Sequence, residues 1–169
     1  MTDRRRISSG SPYEPKIGFS RAVRAGDTIY VSGTVAWGED GRLVGEGDVY
    51  TQAKQAISNI EKALIEAGAS LNDVVRTRIY LIDISRLEEA ARAHGEAFGE
   101  IRPASSMVEV SALAEPQMLV EVEAIKPAPS APNLGVFSTL QSRSAIGGPL
   151  ASTSDGYELS ARTLEHFDS

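Results

Sequence analysis

Glu121 and Glu123 stand two apart in a run of β-branched residues, so both side chains leave one face of a strand. A carboxylate in such a place is ordinarily solvated or paired with arginine, and Arg76 and Arg78 share a face of another β-rich run. In a cleft it behaves differently, because burial raises its pKa and lets it take a proton from water. Ser105, Met107 and Glu109 alternate in the same way along a third run. These strand residues are the groups with chemistry to offer. The chain has no phosphate-binding glycine loop with its lysine, no Gly-x-Ser-x-Gly elbow and no histidines at metal spacing. His94 and His166 lie in separate segments without partners, and His94 reads as a partly buried structural histidine. No metal site and no cofactor is expected. The absence of cysteine excludes thiol nucleophiles, disulfides and cysteine-held metals.

The bulk properties narrow the partners. A chain of 169 residues with 41% hydrophobic content can bury one core of useful size. Its net charge of −6 speaks against nucleic-acid binding, which calls for a basic balance or stripe. The one basic cluster, Arg4-Arg5-Arg6, is short and terminal, and such runs are usually solvated. No apolar run approaches the roughly 20 residues a membrane span needs, and the start lacks a signal peptide's apolar core. The expected location is therefore the cytoplasm.

The elements that must position these residues follow from periodicity. Residues 1–16, broken by Pro12 and Pro15, are expected to form a flexible arm. Ser20 to Ala25, the Gly26-Asp27 turn and Thr28 to Gly33 read as strand, turn, strand. A glycine-rich loop leads to a helix whose buried stripe is Val49, Ala53, Ala56, Ile57, Ile60, Ala63, Leu64 and Ala67. Gln52, Lys54 and Glu61 are placed opposite, with Asp48 and Gly68 as caps. Val74 to Ile82 returns to strand, Leu87 to Phe98 to helix, and Ser105 to Ser111 and Leu119 to Ile125 close the domain.

The result is an α+β domain over 17–126, ordered β-β-α-β-α-β-β, with two helices on one face of a mostly antiparallel mixed sheet. The other sheet face, expected to carry Tyr80, Met107 and Leu119 among charges, must then be covered by association. Residues 127–169 are rich in proline, serine and glycine and are expected to be poorly ordered or docked. Within them Leu134 to Leu140 suits an edge strand and Leu159 to Phe167 a helical turn or two.

Three segments together resemble the RidA (YjgF) family: Asp27-Thr28-Ile29-Tyr30-Val31-Ser32-Gly33-Thr34; Ala67-Gly68 through Asp73-Val74-Val75-Arg76; and Arg102-Pro103-Ala104-Ser105-Ser106-Met107-Val108-Glu109-Val110 followed by Val120-Glu121-Val122-Glu123-Ala124-Ile125. They come in the family's order and cover about 110 residues of the chain. The resemblance implies a chorismate-mutase-like fold and a homotrimer with small-molecule clefts between subunits. In the family's imine deaminases an arginine after Pro-Ala clamps the substrate carboxylate, a bidentate task. The Ser-Gly pair positions the ligand, a glutamate handles the hydrolytic water and a tyrosine lines the cleft.

Carried onto this chain, the Ser-Gly pair is Ser32-Gly33 and the glutamate is Glu121, while the arginine becomes Ser105 and the tyrosine Phe19. A serine cannot replace a bidentate clamp. Arg21, Arg78 and Arg102 are the cations that could restore one. The expected site is thus Glu121 as catalyst, with Phe19, Ser32, Gly33, Arg78, Ser105 and Met107 around the ligand. The expected function is hydrolysis of an imine, enamine or related compound, with 2-iminoacids as poor substrates. The alternatives are a non-catalytic module that binds or senses a metabolite and, less in keeping with the acidic balance, a ribonuclease.

Overall fold

A computed structural model describes residues 3–128. The readings over Leu134–Leu140, Leu159–Phe167 and His166 lie outside the described residues. The elements run β1 (Arg4–Ile7), α1 (Tyr13–Ile17), β2 (Ala22–Ala25), β3 (Thr28–Thr34), α2 (Val49–Glu66), β4 (Arg76–Leu81), α3 (Leu87–Phe98), β5 (Ala104–Glu109) and β6 (Val120–Lys126). One six-stranded sheet is ordered β1-β2-β3-β6-β4-β5. Only the β4–β5 pair is parallel, as its helical crossover α3 requires. The expected α+β class and mixed sheet are present, and the β-β-α-β-α-β-β order appears from β2 onward, preceded by β1 and α1.

The first strand falls within the expected loose arm. Residues 4–7 pair with β2 instead, because an edge strand tolerates a charged run so long as one residue reaches the core. Ile7 does so, at 1% exposure, while Arg4, Arg5 and Arg6 stay outside. The next residues are anchored by a buried carboxylate. Glu14 accepts from Ser8 Oγ at 2.6 Å, Ser9 N at 2.8 Å and Ser9 Oγ at 2.6 Å. Burial works to raise its pKa, but these hydrogen bonds outweigh it and leave the group below its ordinary value. A carboxylate lowered on folding stabilises above its unfolded pKa, near 4.3, and ceases to do so as pH falls through the lowered value. Glu14→Gln should therefore cost about 1–2 kcal/mol at neutral pH. In urea titrations that deficit should shrink below about pH 4; an unchanged deficit there would argue for a purely steric cause.

One face of the sheet is covered by α2 and α3. Residues Ile29, Val31, Thr77, Ile79, Leu81, Val120, Val122 and Ala124 point into this layer and are buried. All eight residues of the expected stripe on α2 are buried with them. Each large aliphatic side chain so placed contributes about 1.5–3 kcal/mol. Asp48 caps α2, its carboxylate accepting from Thr51 N at 3.1 Å, and Gly68 at φ 85° lets the chain leave.

Two expectations fail here. Gln52 does not lie on the outer side of α2: it is fully buried, three residues beyond Val49 on the core stripe. Its Nε2 donates to Gly45 O at 3.1 Å and Gln117 O at 2.9 Å, and its Oε1 accepts from Leu119 N at 2.9 Å. Met107 and Leu119 also pack against the core rather than on the open face. Tyr80 keeps its predicted place there, on the face that also carries Tyr30, Arg78, Glu121 and Glu123.

Candidate active site

The site is built around a fault in the sheet. Val31 pairs with Ala124 but Thr34 with Val122, so β3 carries one extra residue at Ser32-Gly33 opposite Glu123. Such a bulge bends the strand and frees backbone groups from the ladder. Arg21, just before β2, takes up those groups. Its Nη1 donates to Gly33 O and Thr34 Oγ1, each at 2.7 Å, with a longer reach to Ser32 O at 3.4 Å. Thr34 Oγ1 passes its own proton to Ser32 O at 2.7 Å, and Ser32 Oγ donates to Ser20 O at 2.8 Å. Phe19 lies against the Arg21 guanidinium, 5.7 Å from ring centre to Cζ.

Glu121 rises from β6 directly over Gly33. A Cβ at residue 33 would fall on the Glu121 carboxylate, within 2.7 Å of its Cδ. Glycine therefore leaves the room in which the Glu121 carboxylate sits, and no special backbone conformation is involved. Burial pushes the Glu121 pKa up, the neighbouring Glu123 carboxylate adds to the rise, and Arg21 opposes it. The outcome is a half-buried carboxylate held readier to accept a proton than an exposed one. Gly33→Ala should displace it. We expect at least a hundredfold loss in any Glu121-dependent turnover with the melting transition retained, whereas unchanged kinetics would show that Glu121 need not sit there.

The remaining predicted residues divide between the two sides of the sheet. Arg78 is on the Glu121 face, but its Nη1 is 3.2 Å from Glu123 Oε2, its cross-strand partner, so it neutralises that carboxylate. Arg102, at φ 53°, is turned back on the end of α3, its Nε donating to Gly99 O at 3.1 Å. Ser105 and Met107 pair with Thr77 and Ile79 and so face the helix layer. Within one chain Ser105 and Glu121 are thus on opposite sides of the sheet. Phe19, Ser32, Gly33, Arg21 and Glu121 are brought together; Ser105 and Met107 are not.

Tyr80, the cross-strand partner of Glu121, was not singled out from sequence as a site residue. Burial first, and the Glu123 carboxylate second, raise its pKa and keep the phenol protonated. Its alternation with Arg78 on β4 was the signal available. Among the described residues no cluster of histidine, aspartate and glutamate is arranged to hold a metal ion.

A carboxylate over a bulged Ser-Gly pair, on the open face of a sheet backed by two helices, defines a small α+β protein with a half-buried carboxylate of raised pKa on its open sheet face. The family model described as Endoribonuclease L-PSP matches residues 10–126, and the chain belongs to that family, the YjgF/RidA/RutC family. An uncharacterized protein of Streptomyces coelicolor is 41% identical over 119 residues, covering 70% of this chain and 88% of its own length. Among solved structures, Rv2704 of Mycobacterium tuberculosis, described as a YjgF/YER057c/UK114 family member, is 49% identical. It superposes with a TM-score of 0.67 over 73% of this chain and 98% of that one. RidA of an Antarctic Psychrobacter is 32% identical with a TM-score of 0.61, covering 72% of this chain and 92% of that one. Among the described residues no helix is long and apolar enough to cross a membrane. One relative, of Schizosaccharomyces pombe, bears a mitochondrial name.

Proposed function

We propose that the chain hydrolyses a small imine or enamine, with Glu121 activating water in a cleft completed by a second copy. The observation that carries this reading is Glu121 itself, half-buried, raised in pKa and fitted over Gly33. Its carboxylate takes a proton from water as the oxygen bonds to the C=N carbon. The carboxyl group returns that proton to the nitrogen. The resulting carbinolamine gives up its hydroxyl proton to the nitrogen by way of the same carboxylate as the C–N bond breaks, leaving a carbonyl compound and an amine or ammonia.

The opposed placement of Ser105 and Glu121 supports a shared cleft, since only another subunit can bring a Ser105 edge up to a Glu121 face. The open face, with Tyr30 at 52% exposure between its cross-strand partners Val23 and Ile125, is the surface such packing would cover. The homotrimer implied by the resemblance satisfies both. The cytoplasm remains our proposed location, and a small molecule rather than nucleic acid the proposed ligand. On the open face Arg78 is paired with Glu123 and Glu121 lies alongside, which gives no cationic stripe for a phosphodiester backbone.

With Ser105 where family deaminases carry arginine, the favoured substrate lacks a carboxylate or presents it elsewhere. On this reading Arg21 orders the bulge rather than clamping a substrate, its Nη1 donating to Gly33 O and Thr34 Oγ1 and reaching Ser32 O. Light scattering at micromolar concentration should give three times the chain mass, accompanied by turnover of an uncharged imine such as 1-pyrroline that follows Glu121. A monomer with that turnover would remove the subunit cleft; a trimer without turnover on any imine would favour the metabolite-binding reading.

A further inference from the structure

Ser105 lies at the exposed end of a line of hydrogen-bonding groups that leads into the helix layer. Thr77 is fully buried, and its Oγ1 is 3.0 Å from Ser105 Oγ and 3.0 Å from His94 Nε2. The His94 ring is half-buried on α3 and stacks on Phe98 with centroids 4.6 Å apart. A base, a bridging hydroxyl and a surface hydroxyl therefore stand in sequence on one face of the sheet. Glu121 is on the other.

A single bridging hydroxyl lets the line run in two directions. In one, the resting direction, Thr77 donates to Ser105 and accepts from His94 Nε2–H; rotation of the two hydroxyls and the other imidazole tautomer reverse it. In the other, Ser105 donates to Thr77, and Thr77 to an unprotonated Nε2. The second arrangement is that of a hydroxyl nucleophile with its general base one group removed. Neutrality of the imidazole is what it needs, and burial alone drives the His94 pKa down.

The charged groups on the surrounding elements are engaged elsewhere. On β4, Arg76 donates to Ser106 and Arg78 pairs with Glu123. On β5, Glu109 accepts from Ile84 N. Lys54 of α2 pairs with Glu96 of α3, Arg92 lies over the Tyr50 ring, and Asp73 of the Leu71–Asp73 turn accepts from Ser70.

We propose that Ser105 is a nucleophile toward uncharged acyl or phosphoryl esters, its proton carried through Thr77 to His94. As Ser105 Oγ bonds to the acyl carbon or phosphorus, its proton passes to Thr77 Oγ1, and Thr77's own passes to His94 Nε2. The bond to the leaving group breaks, and that group departs with its electron pair. The substitution that removes a carboxylate clamp thus supplies a hydroxyl of a different reactivity at the same place.

The test is reaction of the full chain with an uncharged alkyl fluorophosphonate, read by peptide mass spectrometry. Oγ–P forms, P–F breaks and fluoride leaves. We expect the adduct on Ser105 and not on Ser106, the next residue, which turns to the opposite face. His94→Gln and Thr77→Val should slow labelling at least about a hundredfold, and the unaltered chain should lose it as pH falls through a histidine pKa below 6.5. An unlabelled Ser105, equal labelling of Ser105 and Ser106, or an unchanged rate in a folded His94→Gln variant would each overturn the proposal. The Ser105-to-Ser106 ratio in the unaltered chain decides even where Thr77→Val fails to fold.

Discussion

Glu121→Gln is expected to lower kcat for imine hydrolysis by about a hundred- to ten-thousandfold, the usual contribution of a positioned general base. The amide keeps the shape of the side chain over Gly33 but has no basic oxygen to take a proton from water. The pH profile separates this from a change in packing. Because burial and the adjacent Glu123 raise the Glu121 pKa, activity should climb with pH along a limb lying above the ordinary carboxylate range. Glu123→Gln should shift that limb downward by removing a like charge, and Glu121→Gln should abolish it. Retention of both rate and limb in Glu121→Gln would take the catalytic assignment away from this residue.

Gln52→Leu is expected to produce the largest loss of stability. It would strand Gly45 O, Gln117 O and Leu119 N in a buried site, where each unpaired group costs about 1–3 kcal/mol. The sum is about 3 kcal/mol or more, since leucine fills the volume but supplies neither donor nor acceptor. The same side chain fastens the glycine-rich loop to the segment entering β6, so the loss should appear as one cooperative shift in urea unfolding. A shift below about 1 kcal/mol would mean that water replaces all three partners.

Much of the fold was legible because its elements repeat at the periods their packing demands. The stripe from Val49 to Ala67 defines α2 to within a residue, and alternation from Arg76 to Leu81 sorts the faces of β4 correctly. Gln52 was misplaced because its amide outweighed its position, although three residues after Val49 is the core side of a helix. The strand at Arg4–Ile7 was missed because one apolar residue among three arginines carries little periodic signal, yet suffices at a sheet edge.

The site was legible residue by residue but not in its assembly. Parity within a strand tells which side chains share its face; it does not tell which faces of two strands coincide. That depends on register. The pairings Thr77 with Ser105 and Tyr80 with Glu121 turn the two residues to opposite sides. The bulge at Ser32-Gly33, which gives Arg21 its carbonyls and Glu121 its seat, likewise has no signature beyond a glycine in a strand.

The direct test of the proposal that Glu121 activates water while Ser105 provides no carboxylate clamp is kcat/KM for freshly generated 2-aminoacrylate, measured in the unaltered chain and in Ser105→Arg. A desolvated charge contact is worth about 4 kcal/mol, or roughly a thousandfold. The account predicts poor turnover by the unaltered chain and a gain of at least a hundredfold on introducing the arginine. Efficient turnover with Ser105 in place, or no gain from the arginine, would contradict it.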